Sequence, residues 1–185
     1  PIELLKSSIA AVPVITKKFW LGTDKDGHDI LSRIIVGTRV SLSVGLITVI
    51  ISLSIGLILG SLAGYFRGRT DDIIMWFINV IWSIPTLLLV FAITLALGKG
   101  FWQVFIAVGL TMWVNVARLV RGQVLGIREL EYVEATRALG FSNSRTIVRH
   151  IWPNIMGPVL VIAASNFASA IVTEAGLSFL GAAVQ

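Results

Sequence analysis

Four stretches free of Asp, Glu, Lys and Arg dominate this chain: Val40 to Phe66 with 27 residues, Ile73 to Gly98 with 26, Gly100 to Ala117 with 18, and Ile151 to Thr173 with 23. Crossing a hydrocarbon core about 30 Å thick at 1.5 Å per helical residue takes roughly 20 residues, so each stretch has the length of a span. Backbone polar groups in lipid must be satisfied within the segment, and a closed barrel would show alternating strands of about ten residues. The spans are therefore expected to be helices. Only 14% of the 185 residues are charged, 56% are hydrophobic and the mean hydropathy is +0.88, too apolar for a compact soluble monomer. The expected fold class is all-α, a polytopic transmembrane helical bundle.

The connections divide the chain. Residues 1–39 read as a non-spanning approach segment, because the apolar stretch Ile9 to Thr16 is only eight residues long and holds Pro13. Residues 40–185 read as one membrane domain, with spans at about 40–66, 73–98, 100–117 and 151–173 and a polar loop at 118–150. Arg67 to Asp72 reads as a tight turn whose Thr70, Asp71 and Asp72 cap the next helix. Gly98-Lys99-Gly100 makes the second and third spans a hairpin. The loop is distinctive, with six Arg and three Glu in 33 residues. An excess of Lys and Arg marks the cytoplasmic side, but alternating spans put 7 on one side and 8 on the other, so charge leaves the orientation open. The chain begins at Pro1 rather than Met and stops soon after an apolar run, as expected of a piece of a longer protein.

Within the first span, Gly56, Gly60 and Gly64 recur every four residues and so line one helix face, which suits close intramolecular packing more than a dedicated dimer contact. Pro85 falls mid-span, where the missing N–H predicts a kink. Asn79, Asn115 and Asn166 are polar groups in apolar surroundings. Each suits either interhelical hydrogen bonding or the wall of a translocation pathway. Glu174 follows the last apolar run and is expected at the membrane interface.

Catalytic parts are missing. The chain has no phosphate-binding G-x-x-x-x-G-K-[ST], no H-E-x-x-H and no G-x-S-x-G. With no Cys, thiolate metal sites and disulfides are excluded. Gly22 to Asp29 gathers three Asp and His28, but Gly27 and Ile35 stand at the wrong positions for a calcium loop, and the segment is expected to be a structural turn rather than a metal site. The basic balance of 15 Lys plus Arg to 10 Asp plus Glu suggests no nucleic-acid binding, because the charges are interspersed between apolar runs.

The polar loop carries the functional signal. From Leu130 it runs LEYVEATRALGFSNSRTIVRHIWPN, in which Glu134, Ala135, Thr136, Ala138 and Leu139 have helical spacing, Gly140 ends the helix, and Ser142 caps a second helix from Asn143 to His150. Pro153 then opens the last span as a rigid first turn. The charge mixture and small residues favour docking in a protein groove over lying on lipid headgroups.

Glu134-Ala135-Thr136, with Gly140 four residues later and Pro153 thirteen beyond that, resembles the EAA loop of the permease subunits of binding-protein-dependent ABC importers. Thr136 replaces the second Ala and Trp152 the usual Leu. Gly22 to Leu46, Glu131 to Asn154 and Thr173 to Gln185 are similar to the C-type permease subunit of dipeptide, oligopeptide and nickel importers. His28 stands where that family has Arg.

The resemblance implies a methionine-importer-like, type I ABC importer fold of six spans. This chain would hold the second through the fifth, with Gly22 to Asp29 outside and the EAA loop in the cytoplasm. It further implies a non-catalytic permease moving peptides or nickel across the cytoplasmic membrane. Its implied partners are a homologous second permease, two cytoplasmic ABC ATPases, an extracytoplasmic substrate-binding protein and membrane lipid. No cofactor is expected on this chain, ATP and Mg belonging to the ATPases. Glu134, Ala135, Thr136, Arg137, Ala138, Gly140 and Pro153 become the expected ATPase-coupling residues, Arg137 as a salt-bridge donor. The competing class, an ion-coupled secondary transporter or channel, ordinarily needs ionisable groups inside its spans. Here Arg118 and Glu174 lie only at the edges of the uncharged stretches.

Overall fold

The computed structural model describes residues 18–98 and 101–179. Two compact units divide at Arg39 and Val40. The expectations for Ile9 to Thr16, for the Lys99-Gly100 connection and for residues 180–185 lie outside the described residues. Every long element is helical: α1 (Ile30–Phe66), α2 (Gly68–Trp82), α3 (Thr86–Leu97), α4 (Phe101–Ile127), α5 (Glu131–Ala138), α6 (Asn143–Thr146), a π-helical turn (Ile147–Ile151) and α7 (Trp152–Phe179).

In the first unit Asp24 Oδ1 accepts the backbone N–H groups of Asp26 and His28, both at 2.9 Å, and an isolated bridge pairs Thr23 with Asp29. Gly22 and Gly27 take φ of 79° and 80°, conformations that cost an L side chain about 1–2 kcal/mol. Asp29 then caps α1, its carboxylate accepting Leu31 N–H at 3.2 Å and the Ser32 hydroxyl at 2.5 Å. The hydrogen bond from His28 N–H holds the Asp24 carboxyl below its ordinary range, and the Ser32 hydroxyl does the same for Asp29.

Three helical stretches are long and apolar enough to cross a membrane: Ile30–Phe66, Trp102–Ile127 and Asn143–Phe179. The helices extend beyond the expected spans. Helix α1 starts ten residues before Val40, because Arg33 and Arg39 end the apolar stretch without ending the helix. Helix α4 runs ten residues past Ala117 into the expected loop. The last stretch begins at Asn143 rather than Ile151, so the second loop helix and the last span are one continuous rod. Pro153 therefore does not open a new helix. It lies two residues past the end of the π-helical turn, where a widened turn accommodates a residue that cannot donate to the i−4 carbonyl. Glu174 sits inside α7 rather than beyond it, and Ser41 Oγ donates to its Oε2 at 3.4 Å.

The second expected span is not one continuous helix. Helices α2 and α3 differ in direction by 91° across Ser83-Ile84-Pro85, a break rather than a kink. Pro85 disfavours helical backbone at Ile84 and supplies no N–H, and α3 restarts from Pro85 at φ −54°, ψ 127°. Thr70, Asp71 and Asp72 do not cap α2. The reversal occurs at Arg67 and Gly68, with φ of 55° and 56°, so these three residues already lie within the helix. Asp71 instead makes a two-pronged pair with Arg121, at 2.5 Å to Nε and 2.6 Å to Nη2.

Glycines set the closest approach. A Cβ built on Gly60 would lie 2.5 Å from the Ala117 carbonyl oxygen, one on Gly64 would lie 2.8 Å from that of Arg121, and one on Gly56 would fall on the Val116 side chain. All three face α4, so backbone meets backbone along one seam. A second cluster joins α3, α4 and α7 through Val90, Val108 and Ala170. Gly60→Ala is expected to lower stability by about 1–3 kcal/mol through overpacking. Gly122→Ala, which meets nothing within 4 Å, should change it by no more than about 1 kcal/mol. Thermal unfolding of the purified protein in detergent, followed by size-exclusion chromatography, reads both.

Candidate functional site

The loop between α4 and α7 is a hairpin of two short helices. Helix α5 ends in a paired motif: Phe141 N–H donates to the Thr136 carbonyl and Gly140 N–H to that of Arg137, each at 3.0 Å, with Gly140 at φ 74°. Ser142 Oγ accepts Arg145 N–H at 3.4 Å and starts α6. Val133 and Thr136 turn inward and are buried, whereas Glu131, Glu134, Ala135, Ala138 and Leu139 are exposed, Leu139 at 72%.

The inner face is held to the spans. Val133 packs in one buried cluster with Tyr65 of α1, Val120 and Val124 of α4, and Ile147, Ile151 and Ile155 of the continuous last rod. Tyr65 is the junction. Its hydroxyl is 3.1 Å from Asn143 Oδ1, its carbonyl accepts Arg128 Nη1 at 2.6 Å, and the Arg137 guanidinium lies 4.9 Å over its ring. Burial and the nearby Arg67 and Arg137 charges shift Arg128 below the usual arginine range, and Arg67 pairs with Glu129. Arg137, expected as a salt-bridge donor, is exposed, with its guanidinium over the Tyr65 ring.

Thr136 Oγ1 lies 3.1 Å from Thr146 Oγ1, with both residues buried, and donates to the Val133 carbonyl at 2.7 Å. The replacement of Ala at this position was the only sequence signal of that cross-link. Trp152, the other departure, donates its Nε1–H to Ser61 Oγ at 2.8 Å and ties α7 to α1. Tyr65 and Thr146 carried no signal, since their partners lie 78 and 10 residues away.

The other residues fall into separate groups. Asn115 and Asn166 line one cavity of about 240 Å³ beside the α2–α3 break, with Ile84 and Thr86 flanking Pro85 in its wall. Asn79 is not in that wall; its Oδ1 accepts Arg118 Nη2 at 2.8 Å. Asp24, Asp26 and His28 bring three ligand atoms within 4.8 Å of one another. Asp24 is already occupied by two backbone N–H groups and by Arg33, whose Nη1 is 2.5 Å from Oδ2.

A clamped helical hairpin carrying an exposed face, set between membrane-length helices, has the form of a docking element. The sequence profile described as "Binding-protein-dependent transport system inner membrane component" matches residues 56–184, covering that hairpin and the helices around it. The chain belongs to this family. Within it, the chain is 44% identical over 169 residues to the oligopeptide transport system permease protein OppC of Bacillus subtilis (strain 168), covering 91% of the chain and 55% of that relative. The dipeptide transport system permease protein DppC of the same organism is 41% identical over 166 residues, 90% of the chain and 52% of the relative. The glutathione transport system permease protein GsiD of Pectobacterium atrosepticum is 40% identical over 166 residues, 90% of the chain and 55% of the relative. The chain thus spans about half the length of the curated relatives it matches.

For this inner membrane component, Thr136→Val is expected to cost about 1–3 kcal/mol by leaving the Thr146 hydroxyl buried without its side-chain partner. Double substitution with Thr146→Val should recover part of the loss. Amide hydrogen exchange across residues 131–146 measures it, and additive losses would contradict the cross-link.

Proposed function

We propose that this chain is the transmembrane permease subunit of an ABC importer that carries short peptides, and that α5 is its coupling helix. In this reading a groove on a cytoplasmic ATPase receives the exposed face of Glu134, Ala135, Ala138 and Leu139. ATP-driven closure of two ATPases moves the helix, and the spans follow. The observation that carries this reading is the two-sidedness of α5: its outer face is exposed while Val133 and Thr136 bind it to α4 and the last rod. A lever must be rigid on one side and accessible on the other.

Small residues at Ala135 and Ala138 allow close approach, Glu134 supplies a charged anchor, and Gly140 holds a turn that an L side chain resists. Pro153 and the π-helical turn sit where hairpin motion enters α7. Gly22 to Asp29 stands on the extracytoplasmic side, a second permease completes the pathway, and a binding protein delivers substrate. The cavity wall, with the amides of Asn115 and Asn166 and the hydroxyls of Thr111 and Thr173, matches the donors and acceptors of peptide groups. The names of the relatives, which specify oligopeptide, dipeptide and glutathione transport, support that cargo.

Gly140→Pro demands a φ near −65° where the backbone stands at 74°, and Glu134→Lys reverses the charge on the docking face. In the assembled full-length transporter, each is expected to reduce ATP-driven dipeptide uptake by about tenfold or more, as the loss of one coupling contact worth about 1.4 kcal/mol would do. ATPase activity should no longer respond to the loaded binding protein, while membrane insertion stays intact. Wild-type uptake and stimulation in both variants would refute the assignment.

A further inference from the structure

Helix α4 carries a polar stripe. Thr111, Asn115 and Arg118 are spaced i, i+4 and i+7 and therefore share one helix face. Thr111 and Asn115 line the cavity beside the α2–α3 break, and across it α7 offers Asn166, Ser169 and Thr173, again at one-face spacing. None of the described residues lining the cavity is charged. Arg118 lies one turn beyond Asn115, toward the coupling hairpin. Its guanidinium carbon is 3.7 Å from the centre of the Trp82 ring, and Trp82 is itself part of the cavity wall.

Arg118 is incompletely satisfied. Nη2 donates to Asn79 Oδ1 at 2.8 Å, and its Nε is buried with no hydrogen-bond partner. Among the described residues no carboxylate pairs with it. Arg121, one turn further along, has a full two-pronged carboxylate partner in Asp71. An arginine within a membrane-length helix ordinarily finds a counter-charge, or stands where one arrives. A guanidinium binds a carboxylate through its N–H edge, and stacking on Trp82 occupies its face rather than that edge; with Nη2 on Asn79 and Nε buried, a two-pronged grip requires Nη2 to exchange Asn79 for the incoming carboxylate.

We propose that Arg118, braced by Trp82 and Asn79, is a carboxylate-binding site at one end of the cavity, taking the terminal carboxylate of a short peptide. The peptide's amide groups lie along the two polar stripes. This deepens the pathway reading above and rests on it. A fixed guanidinium there also disfavours a divalent cation by direct repulsion, which separates peptide from nickel as the cargo of this chain.

These 185 residues hold no Cys, so Ser169→Cys, in a full-length subunit with any Cys elsewhere replaced by Ser, places a single reporter thiol of this subunit in the cavity wall. The assembled full-length transporter is placed in nanodiscs without its binding protein, so that delivery imposes no selection. Labelling by a neutral maleimide is followed on this subunit with dialanine or dialanine amide present. Dialanine is expected to slow labelling about fivefold and the amide less than about twofold, in line with loss of one charge-assisted pair. Arg118→Gln should reduce dialanine to the level of the amide, and Arg118→Lys should keep part of the difference. Equal slowing by both peptides in the unsubstituted protein, or an undiminished difference in Arg118→Gln, overturns the carboxylate site and leaves the pathway standing. Slowing by neither overturns the pathway reading and this site together.

Discussion

Attachment of the α5 hairpin to the membrane helices depends on Tyr65. Its ring lies beneath Arg137, its hydroxyl contacts Asn143, and its carbonyl accepts Arg128. Three parts of the hairpin therefore converge on the last helical turn of α1. Beneath them the buried Val133, Ile147 and Val124 join α5, the continuous last rod and α4 in one cluster. Each such side chain removed from water contributes about 1.5–3 kcal/mol, more than the exposed Arg67–Glu129 pair supplies. Apolar packing sets the strength of attachment, and the polar contacts fix its direction.

That attachment is continued by two rigid features. The glycine seam presses α1 onto α4, so displacement of either helix must carry the other or open a close-packed interface. The π-helical turn joins α6 to α7 without an intervening loop, so α6 and the last span form one rod. Against these stiff elements stands the 91° break at Ser83-Ile84-Pro85, where the chain has no continuous helical backbone. Ile84 and Thr86, on either side of Pro85, line the cavity with Asn115 and Asn166.

Much of this was legible in the amino-acid sequence because it rests on one-dimensional signals. The all-helical class followed from uncharged length, the α1 seam from glycines at a spacing of four, and the hairpin from Gly140 between two helical patterns. Helix limits were not legible, because a charge ends an apolar stretch without ending a helix, as Arg33, Arg39 and Arg121 show. The depth of the break at Pro85 was underestimated, since one proline predicts a kink while the right angle depends on how α2 and α3 pack. Thr70 and Asp71 were misplaced because Arg67 itself adopts a positive φ, an uncommon choice for a non-glycine residue. The partners of Thr136, Trp152 and Arg137 required tertiary proximity that no local pattern encodes.

The account turns on whether the outer face of α5 meets a nucleotide-hydrolysing subunit. A photo-crosslinking amino acid placed at Ala135 or Leu139 of the full-length transporter in cells tests this directly, with exposed Val161 on α7 as the reference position. Adducts from Ala135 and Leu139 to an ATPase subunit, together with lipid adducts from Val161, are the predicted result. Lipid adducts from all three positions, or reaction of α5 only with an extracytoplasmic protein, would contradict it.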